Sequence, residues 1–232
     1  MNIQKVKKYK RFERFWHWSQ AALIIFLAVT GFEVHDSIHI FGFEKAVLFH
    51  RYASYALLVL IGLAIFWHFT TDEWRQYIPT FANIKAQVRY YTIGIFLDEP
   101  HPTQNDKWRK LNVLQIWTYL AFKILIVPVM VVSGLLYMYH KQINVNEVVV
   151  ISNLELESIA LWHTMGAFVL VAFIILHVYM TTTGDTPTAN IKAMITGYEE
   201  KVQPPEQSQD NVQPVQNTLK HESDEIKKET EH

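Results

Sequence analysis

Long apolar runs separated by polar stretches dominate the pattern along the chain. A helix needs about 20 apolar residues to cross a bilayer core of about 30 Å. Four segments meet that requirement, at about residues 15–34, 46–70, 113–139 and 159–181. Because backbone polar groups in lipid must be satisfied within a helix or a closed barrel, this pattern predicts an all-α membrane protein with a four-transmembrane-helix bundle.

The segments that connect and follow these runs differ in character. The loop after the second run mixes aromatic and basic residues in "WRQYIPTFANIKAQVRYYTIGIF", which is typical of an amphipathic helix in the membrane interface. The chain from residue 201 onward is polar and predicts disorder. We therefore expect a membrane domain at residues 1–200 and a disordered C-terminal tail at 201–232.

Two residues interrupt the third apolar run. Pro128 predicts a kink, which transmembrane bundles tolerate. Lys123 is a cation in an apolar segment, so its side chain must snorkel to the interface or pair.

Basic residues predict how the bundle is oriented, because short cytoplasmic loops carry the excess of Lys and Arg. The polar segments before the first run and after the second are rich in them, whereas the two other loops carry little beyond Lys45 and Lys141. We therefore place both termini and the long second loop in the cytoplasm. No small-residue cleavage site follows the first run, so we expect it to remain as a helix.

Composition narrows the chemistry. The chain contains no cysteine, which excludes disulfides, iron–sulfur clusters with thiolate ligands and covalently attached c-type haem. The formal net charge of −1 gives no bulk attraction to nucleic acid. Eleven histidines remain as the main source of metal ligands.

Histidines recur at helical spacing inside two of the runs. At about 100° per residue, the fourteen steps from His163 to His177 return to the same helix face, with about 21 Å between the two positions. The eighteen steps from His50 to His68 also return to one face, about 27 Å apart. Polar side chains at membrane depth usually face the bundle interior and have a function.

The predicted topology sorts these histidines into two layers. His50 and His163 lie near the outer end, whereas His177 and His68 lie near the inner end with His17 of the first run. Facing helices of a bundle build cofactor sites in this way. The layers predict two haem irons, each held by a pair of imidazoles. The outer pair has no competitor, but spacing leaves both His17 and His68 open as the partner of His177.

Other interpretations explain less of this pattern. A His-lined transporter for metal ions or protons would also place imidazoles in the bundle, but such carriers usually need Asp or Glu relays within the spans. A haemless anchor leaves the paired histidines unexplained. His35 and His39 lie in an outer loop and are typical of surface residues.

Several of these segments also resemble a known family. The matching pieces are "RFWHW" and "HRYASY" at the starts of the first two runs, the fourth run itself, and "IKAMITGYEE" after it. Over residues 10–200 the chain resembles the dihaem b-type cytochromes of respiratory membrane complexes. These include the membrane subunits of nickel–iron hydrogenases, the gamma subunits of formate dehydrogenases and the cytochrome b of thiosulfate reductases.

The resemblance implies a set of ligands and cofactors. It pairs His17 with His177 and His50 with His163 on two haem b groups. It therefore prefers His17 over His68, the alternative that spacing left open, and makes His68 a residue near the haem or quinone, or an interfacial residue. It also implies a menaquinone or ubiquinone near the inner haem. The positions here that match the quinone site are Asn112 and Gln115, whose amides can hydrogen-bond a quinone carbonyl.

The expected function is therefore electron transfer with no catalytic residue of the chain's own. Arg14 and Arg51 lie next to the histidine motifs and are candidates to pair with haem propionates, since guanidinium groups bind carboxylates bidentately. The resemblance implies a periplasmic oxidoreductase partner with iron–sulfur, multihaem, molybdenum or nickel centres. Membrane lipid surrounds the chain, and no nucleic acid is expected to bind.

Overall fold

The computed structural model describes residues 3–81, 84–97, 99, 113–145, 155–184 and 186–202, and these are mostly helical. Four helices are long and apolar enough to cross a membrane. They are α1 (Arg11–Val34), α2 (Phe43–Thr70), the span Val113–His140, and α6 (Leu156–Thr181). The predicted all-α membrane bundle is confirmed, and each helix starts at or before its apolar run because its polar first turns are helical too.

The third span contains an irregular turn. It consists of α4 (Val113–Ala121), a π-helical turn (Phe122–Ile126) and α5 (Val127–Val145). Pro128 has no N–H to donate and its ring would clash with the carbonyl four residues earlier in a regular helix. The backbone N–H of Val127 instead donates to the carbonyl of Phe122, five residues back. The predicted irregularity at Pro128 therefore takes the form of a π turn, which also contains Lys123.

Shorter elements join the spans. A 3₁₀ turn (Glu73–Tyr77), helix α3 (Ile84–Thr92) and a second 3₁₀ turn (Gly94–Leu97) follow α2, and α7 (Ala189–Thr196) follows α6. Helix α3 lies in the loop where the sequence predicts an amphipathic helix. The strands β1 (Ile3–Lys7) and β2 (Tyr198–Val202) pair in a two-stranded sheet. The predicted disordered tail lies outside the described residues, apart from its first two positions.

The spans form two helical hairpins. Helix α1 packs closely along α2, and α5 packs along α6. In the described residues, contacts between the hairpins are made mainly by side chains. Phe32 of α1 meets Phe168 of α6 with ring centroids 6.0 Å apart, and the hydroxyl groups of Tyr55 and Tyr139 are 2.7 Å apart. The two hairpins therefore meet through side chains at these positions.

A buried carboxylate fixes the turn of the first hairpin. Glu33 is only 3% exposed, and its Oε1 accepts hydrogen bonds from the backbone N–H groups of Ile40, Phe41 and Gly42 at 2.9, 2.6 and 2.6 Å. Gly42 has a φ of 88°, which favours glycine, and directly precedes α2. This clamp sets where α2 begins relative to α1, and therefore the height of His50.

Candidate functional site

The outer layer brings together one histidine from each hairpin. His50 of α2 and His163 of α6 have ring centroids 6.2 Å apart, with an interplanar angle of 78°. Both side chains lie within spans of mainly apolar residues. The structure therefore places the two predicted outer ligands opposite each other.

Each outer histidine contacts a hydroxyl group from the other helix of its own hairpin. Thr30 Oγ1 of α1 lies 3.0 Å from His50 Nδ1, and Ser133 Oγ of α5 lies 3.0 Å from His163 Nδ1. Thr30 is fully buried and Ser133 is 6% exposed. Neither residue was predicted from the sequence.

A glycine follows each of these hydroxyl residues and lets the imidazole approach the helix. A Cβ on Gly31 would lie 3.3 Å from His50 Cε1, and a Cβ on Gly134 would lie 3.1 Å from His163 Cε1. These are tight contacts that would push the ring away. The dipeptides Thr30–Gly31 and Ser133–Gly134 inside apolar runs were the sequence signal for these contacts.

The inner layer pairs His17 with His177. Their ring centroids are 6.0 Å apart and the rings are tilted by 48°. His177 stacks on Phe173 at 5.9 Å, and its Nδ1 is 3.4 Å from the hydroxyl of Tyr119 on α4. Nδ1 of His17 is buried and has no hydrogen-bond partner. The structure thus brings together the inner pair that the resemblance implies.

His68 has a different environment from His17. It is 8% exposed, and its Nδ1 hydrogen-bonds the carbonyl of Ala64 at 2.7 Å in its own helix. Its ring lies 5.5 Å from Trp16 and 5.6 Å from Tyr77 between centroids. His68 is therefore enclosed by aromatic rings and does not form part of the ring contact around His177.

The separation within each imidazole pair fits one haem iron held between its two rings. With a metal–nitrogen bond of about 2 Å, two imidazoles on opposite sides of one metal have ring centroids slightly more than 6 Å apart. The observed 6.2 and 6.0 Å match this separation. Within the described ranges no group of three or more His, Asp or Glu side chains is arranged to hold a metal. Each layer offers two nitrogen ligands, which is the number that an iron already held by a porphyrin accepts in cytochromes.

The two arginine candidates lie at opposite ends. Arg14 Nη1 donates to the carbonyl of Ile195 in α7 at 2.6 Å, while its buried Nε has no hydrogen-bond partner. Arg51 lies beside His50 with its guanidinium 5.6 Å from the ring centroid of Tyr52. Arg14 thus retains a buried donor near the inner pair, and Arg51 lies exposed at the outer one.

Gly197 explains how Arg14 is held. It ends α7 with a φ of 89°, and a Cβ there would lie 3.0 Å from the carbonyl oxygen of Tyr9 and 3.4 Å from Arg14 Cζ. The Gly197 carbonyl also accepts hydrogen bonds from the backbone N–H groups of Lys8 and Tyr9. A residue with a side chain would therefore strain this turn and displace the start of α1.

The predicted quinone positions lie at the start of α4. Gln115 is half-buried in its first turn, whereas Asn112 lies outside the described residues. A different amide caps this helix: the completely buried Gln87 of α3 accepts the backbone N–H of Leu114 through its Oε1 at 3.1 Å. Gln87 was not identified from the sequence, because a lone Gln in an amphipathic helix gives no signal of a distant partner.

Lys123 pairs with an aromatic face. Its Nζ lies 3.4 Å from the ring centroid of Tyr77 and 5.7 Å from that of Trp16. A cation over an aromatic face is stabilised by the ring quadrupole, and more so when water is excluded. Of the two alternatives for Lys123, snorkelling or pairing, the structure shows pairing, through a cation–π contact with the 3₁₀ turn that follows α2.

The groups around this turn are also electrostatically coupled. Burial raises the pKa of Tyr77 above its usual range, so the phenol remains protonated at neutral pH. Lys10, just before α1, makes a salt bridge from Nζ to Glu73 Oε1 at 2.6 Å, and that hydrogen bond raises the pKa of the Lys10 ammonium. The turn is thus tied both to α1 and to the third span.

The chain is similar to known membrane cytochromes. The family described as "Prokaryotic cytochrome b561" matches residues 8–197, which include all four spans and the four paired histidines. A protein named "Putative cytochrome YdhU" from Escherichia coli (strain K12) is 27% identical over 205 residues, covering 84% of this chain and 75% of that protein.

Proposed function

This chain belongs to the prokaryotic cytochrome b561 family of membrane b-type cytochromes that transfer electrons. We propose that it carries electrons between a quinone and a periplasmic oxidoreductase. Two b haems would hold the electrons in transit. The observation that carries this proposal is the meeting of two imidazole pairs, at 6.2 and 6.0 Å, at two depths of one bundle.

The proposed ligands are His50 with His163 at one level and His17 with His177 at the other. A b haem held by such an imidazole pair would supply one-electron chemistry. The chain's residues hold the imidazoles in facing pairs within mainly apolar spans. These features favour electron transfer over the binding of oxygen or substrate.

Arg14 is the residue that best fits an inner haem propionate. Its Nε is a buried donor without a partner, and a carboxylate there would satisfy it with a charge-assisted hydrogen bond. Arg51 is assigned the same role at the outer haem, on its position next to His50.

The proposed quinone, menaquinone or ubiquinone, would bind at the inner layer near the start of α4. Gln115 supports this assignment, since it lies about one turn before Tyr119, whose hydroxyl contacts His177. Asn112 is proposed as a second amide for the same carbonyl recognition. The proposed partner at the outer end is a periplasmic subunit with iron–sulfur, multihaem, molybdenum or nickel centres.

The proposed location is the bacterial inner membrane, with both termini in the cytoplasm. The support is the concentration of basic residues before α1 and after α2, compared with the few in the other two loops. On this orientation His50 and His163 lie on the periplasmic side.

A reduced-minus-oxidised spectrum of the chain purified in detergent tests the proposal. We expect a low-spin b-type signal and two haems per chain by pyridine haemochrome quantitation. His163→Ala and His177→Ala should each retain one haem, and His140→Ala, a histidine outside both pairs, should retain two. A folded chain from cells supplied with haem that contains none would contradict the proposal.

A further inference from the structure

In the outer layer, each of the two imidazoles contacts a hydroxyl group that also contacts a backbone carbonyl of its own helix. Thr30 Oγ1 lies 2.9 Å from the carbonyl oxygen of Phe26 and 3.0 Å from His50 Nδ1. Ser133 Oγ lies 2.5 Å from the carbonyl oxygen of Val129 and 3.0 Å from His163 Nδ1. In both cases the carbonyl is four residues earlier in the same helix.

Metal binding through Nε2 would determine the direction of each hydrogen bond. A hydroxyl group has one proton, and a carbonyl oxygen only accepts. When the hydroxyl donates its proton to the carbonyl, the hydroxyl oxygen can accept from the imidazole. An imidazole that binds a metal through Nε2 carries its proton on Nδ1, so His50 and His163 as ligands would donate to Thr30 and Ser133.

We propose that Thr30 and Ser133 are positioning residues that fix the tautomer and orientation of His50 and His163, and thereby lower the reduction potential of the outer centre. A hydrogen bond from Nδ1–H to an acceptor makes the other ring nitrogen a stronger donor. A stronger donor stabilises the oxidised metal more than the reduced metal.

The inner layer provides the contrast within one molecule. Nδ1 of His17 has no hydrogen-bond partner, and Nδ1 of His177 has only the 3.4 Å contact with Tyr119. Its imidazoles therefore receive less of this effect. Through this contact alone, the outer centre is shifted to a lower potential relative to the inner one.

The glycines next to the hydroxyl residues strengthen the assignment. Gly31 and Gly134 leave no Cβ between the helix and the imidazole, so each ring is in van der Waals contact with the helix that carries its hydroxyl partner. The same two-residue arrangement occurs in both hairpins. A hydroxyl that merely satisfied its own helix would not need a glycine beside it.

The inference rests on the proposed function, and the experiment separates the two. The chain carrying His177→Ala, which should retain only the outer haem, is purified with and without Thr30→Ala or Ser133→Ala. Haem content and the midpoint potential are then measured by redox titration. Each alanine variant should weaken the preference for oxidised over reduced iron about tenfold, which raises the potential by about 59 mV.

Conservative and matched variants show whether the hydroxyl itself is responsible. Thr30→Ser and Ser133→Thr keep a hydroxyl and should retain the original potential. Thr70→Ala is the matched control, because Thr70 lies away from the paired histidines. Its hydroxyl has the same backbone contacts as that of Thr30, 2.9 Å to the carbonyl four residues earlier and 3.2 Å to the carbonyl three residues earlier. This variant should leave the potential unchanged.

Each outcome either supports or overturns the role of the two hydroxyl groups. A raised potential in the alanine variants supports the inference, as does loss of the outer haem from them while the conservative variants retain it. An unchanged potential in both alanine variants, or conservative variants that behave like alanine, overturns it while the proposed function stands. An original chain without haem overturns the proposed function instead.

Discussion

At the scale of single residues, His17 and His68 are the two histidines that sequence spacing could not separate. The structure encloses His68 with Trp16 and Tyr77 and hydrogen-bonds it to Ala64, whereas His17 meets His177. We expect His17→Ala to lose the inner haem and His68→Ala to retain both.

Haem quantitation on the two variants checks this expectation, with His163→Ala as the one-haem reference. A one-haem result for His68→Ala together with two haems for His17→Ala would show that the inner pairing is wrong.

Lys123 and Tyr77 form a second residue-level test. Removing the ring leaves an ammonium group in an apolar span without its partner, so Tyr77→Leu should destabilise the fold. In the Lys123→Met variant the charge itself is absent, so removing the ring of Tyr77 from that variant should cost little stability. We expect a double-mutant cycle to give a coupling energy of about 2 kcal/mol.

Unfolding in detergent measures the four members of this cycle. Tyr77→Phe retains the aromatic face and serves as the control, so it should keep most of the coupling. If Tyr77→Leu costs the same with and without Lys123→Met, the cation–π contact contributes nothing.

At the scale of helices and turns, the Glu33 clamp determines how α1 passes into α2. Glu33→Ala removes the acceptor of three backbone N–H groups, which can recover part of their bonding from water at this exposed turn. We expect a lower unfolding free energy for Glu33→Ala, and a smaller loss for Glu33→Gln, which keeps a neutral acceptor.

The same detergent unfolding assay checks this ranking, with the first-turn Glu44→Gln as a matched substitution that lies outside the clamp. Equal stability of the Glu33→Ala and Glu44→Gln variants would contradict a structural role for the clamp.

Helix existence was readable from the sequence, whereas local irregularity was only partly so. Four apolar runs predicted four spans, because membrane insertion demands length and apolarity and little else. Pro128 signalled a kink, but its resolution into a π turn depends on how the chain relaxes around the missing N–H. The capping of α4 by Gln87 depends on a contact between residues 27 positions apart, which periodicity does not encode.

The candidate site was partly predictable, because helical spacing is encoded in the sequence whereas contacts between helices are not. Spacing along a straight helix gives the face and depth of His50 and His163. It does not say which neighbouring helix contacts each ring, so Thr30 and Ser133 were missed. The choice between His17 and His68 came from the resemblance, since both histidines lie at nearly one depth.

At the scale of the whole molecule, the orientation in the membrane can be tested cleanly because the chain contains no cysteine. Single cysteines are introduced at Ser37, in the exposed turn after α1, and at Thr71, at the exposed end of α2. With the proposed orientation, a membrane-impermeant maleimide should label the Ser37→Cys variant in intact spheroplasts, and the Thr71→Cys variant only after permeabilisation.

Labelling of both variants after permeabilisation controls for accessibility of the thiols. The reverse pattern in spheroplasts would place the termini in the periplasm and exchange the outer and inner assignments of the two layers.

The two-hairpin architecture has a consequence for biogenesis. Each haem would take one axial ligand from α1 or α2 and the other from α6, so every iron joins one hairpin to the other. The contact that orients His50 lies inside the first hairpin, and the contact that orients His163 lies inside the second. Each contact is complete once its own hairpin has formed. The membrane insertion machinery can therefore deliver two preorganised halves, and cofactor delivery becomes the step that commits them to one assembled cytochrome.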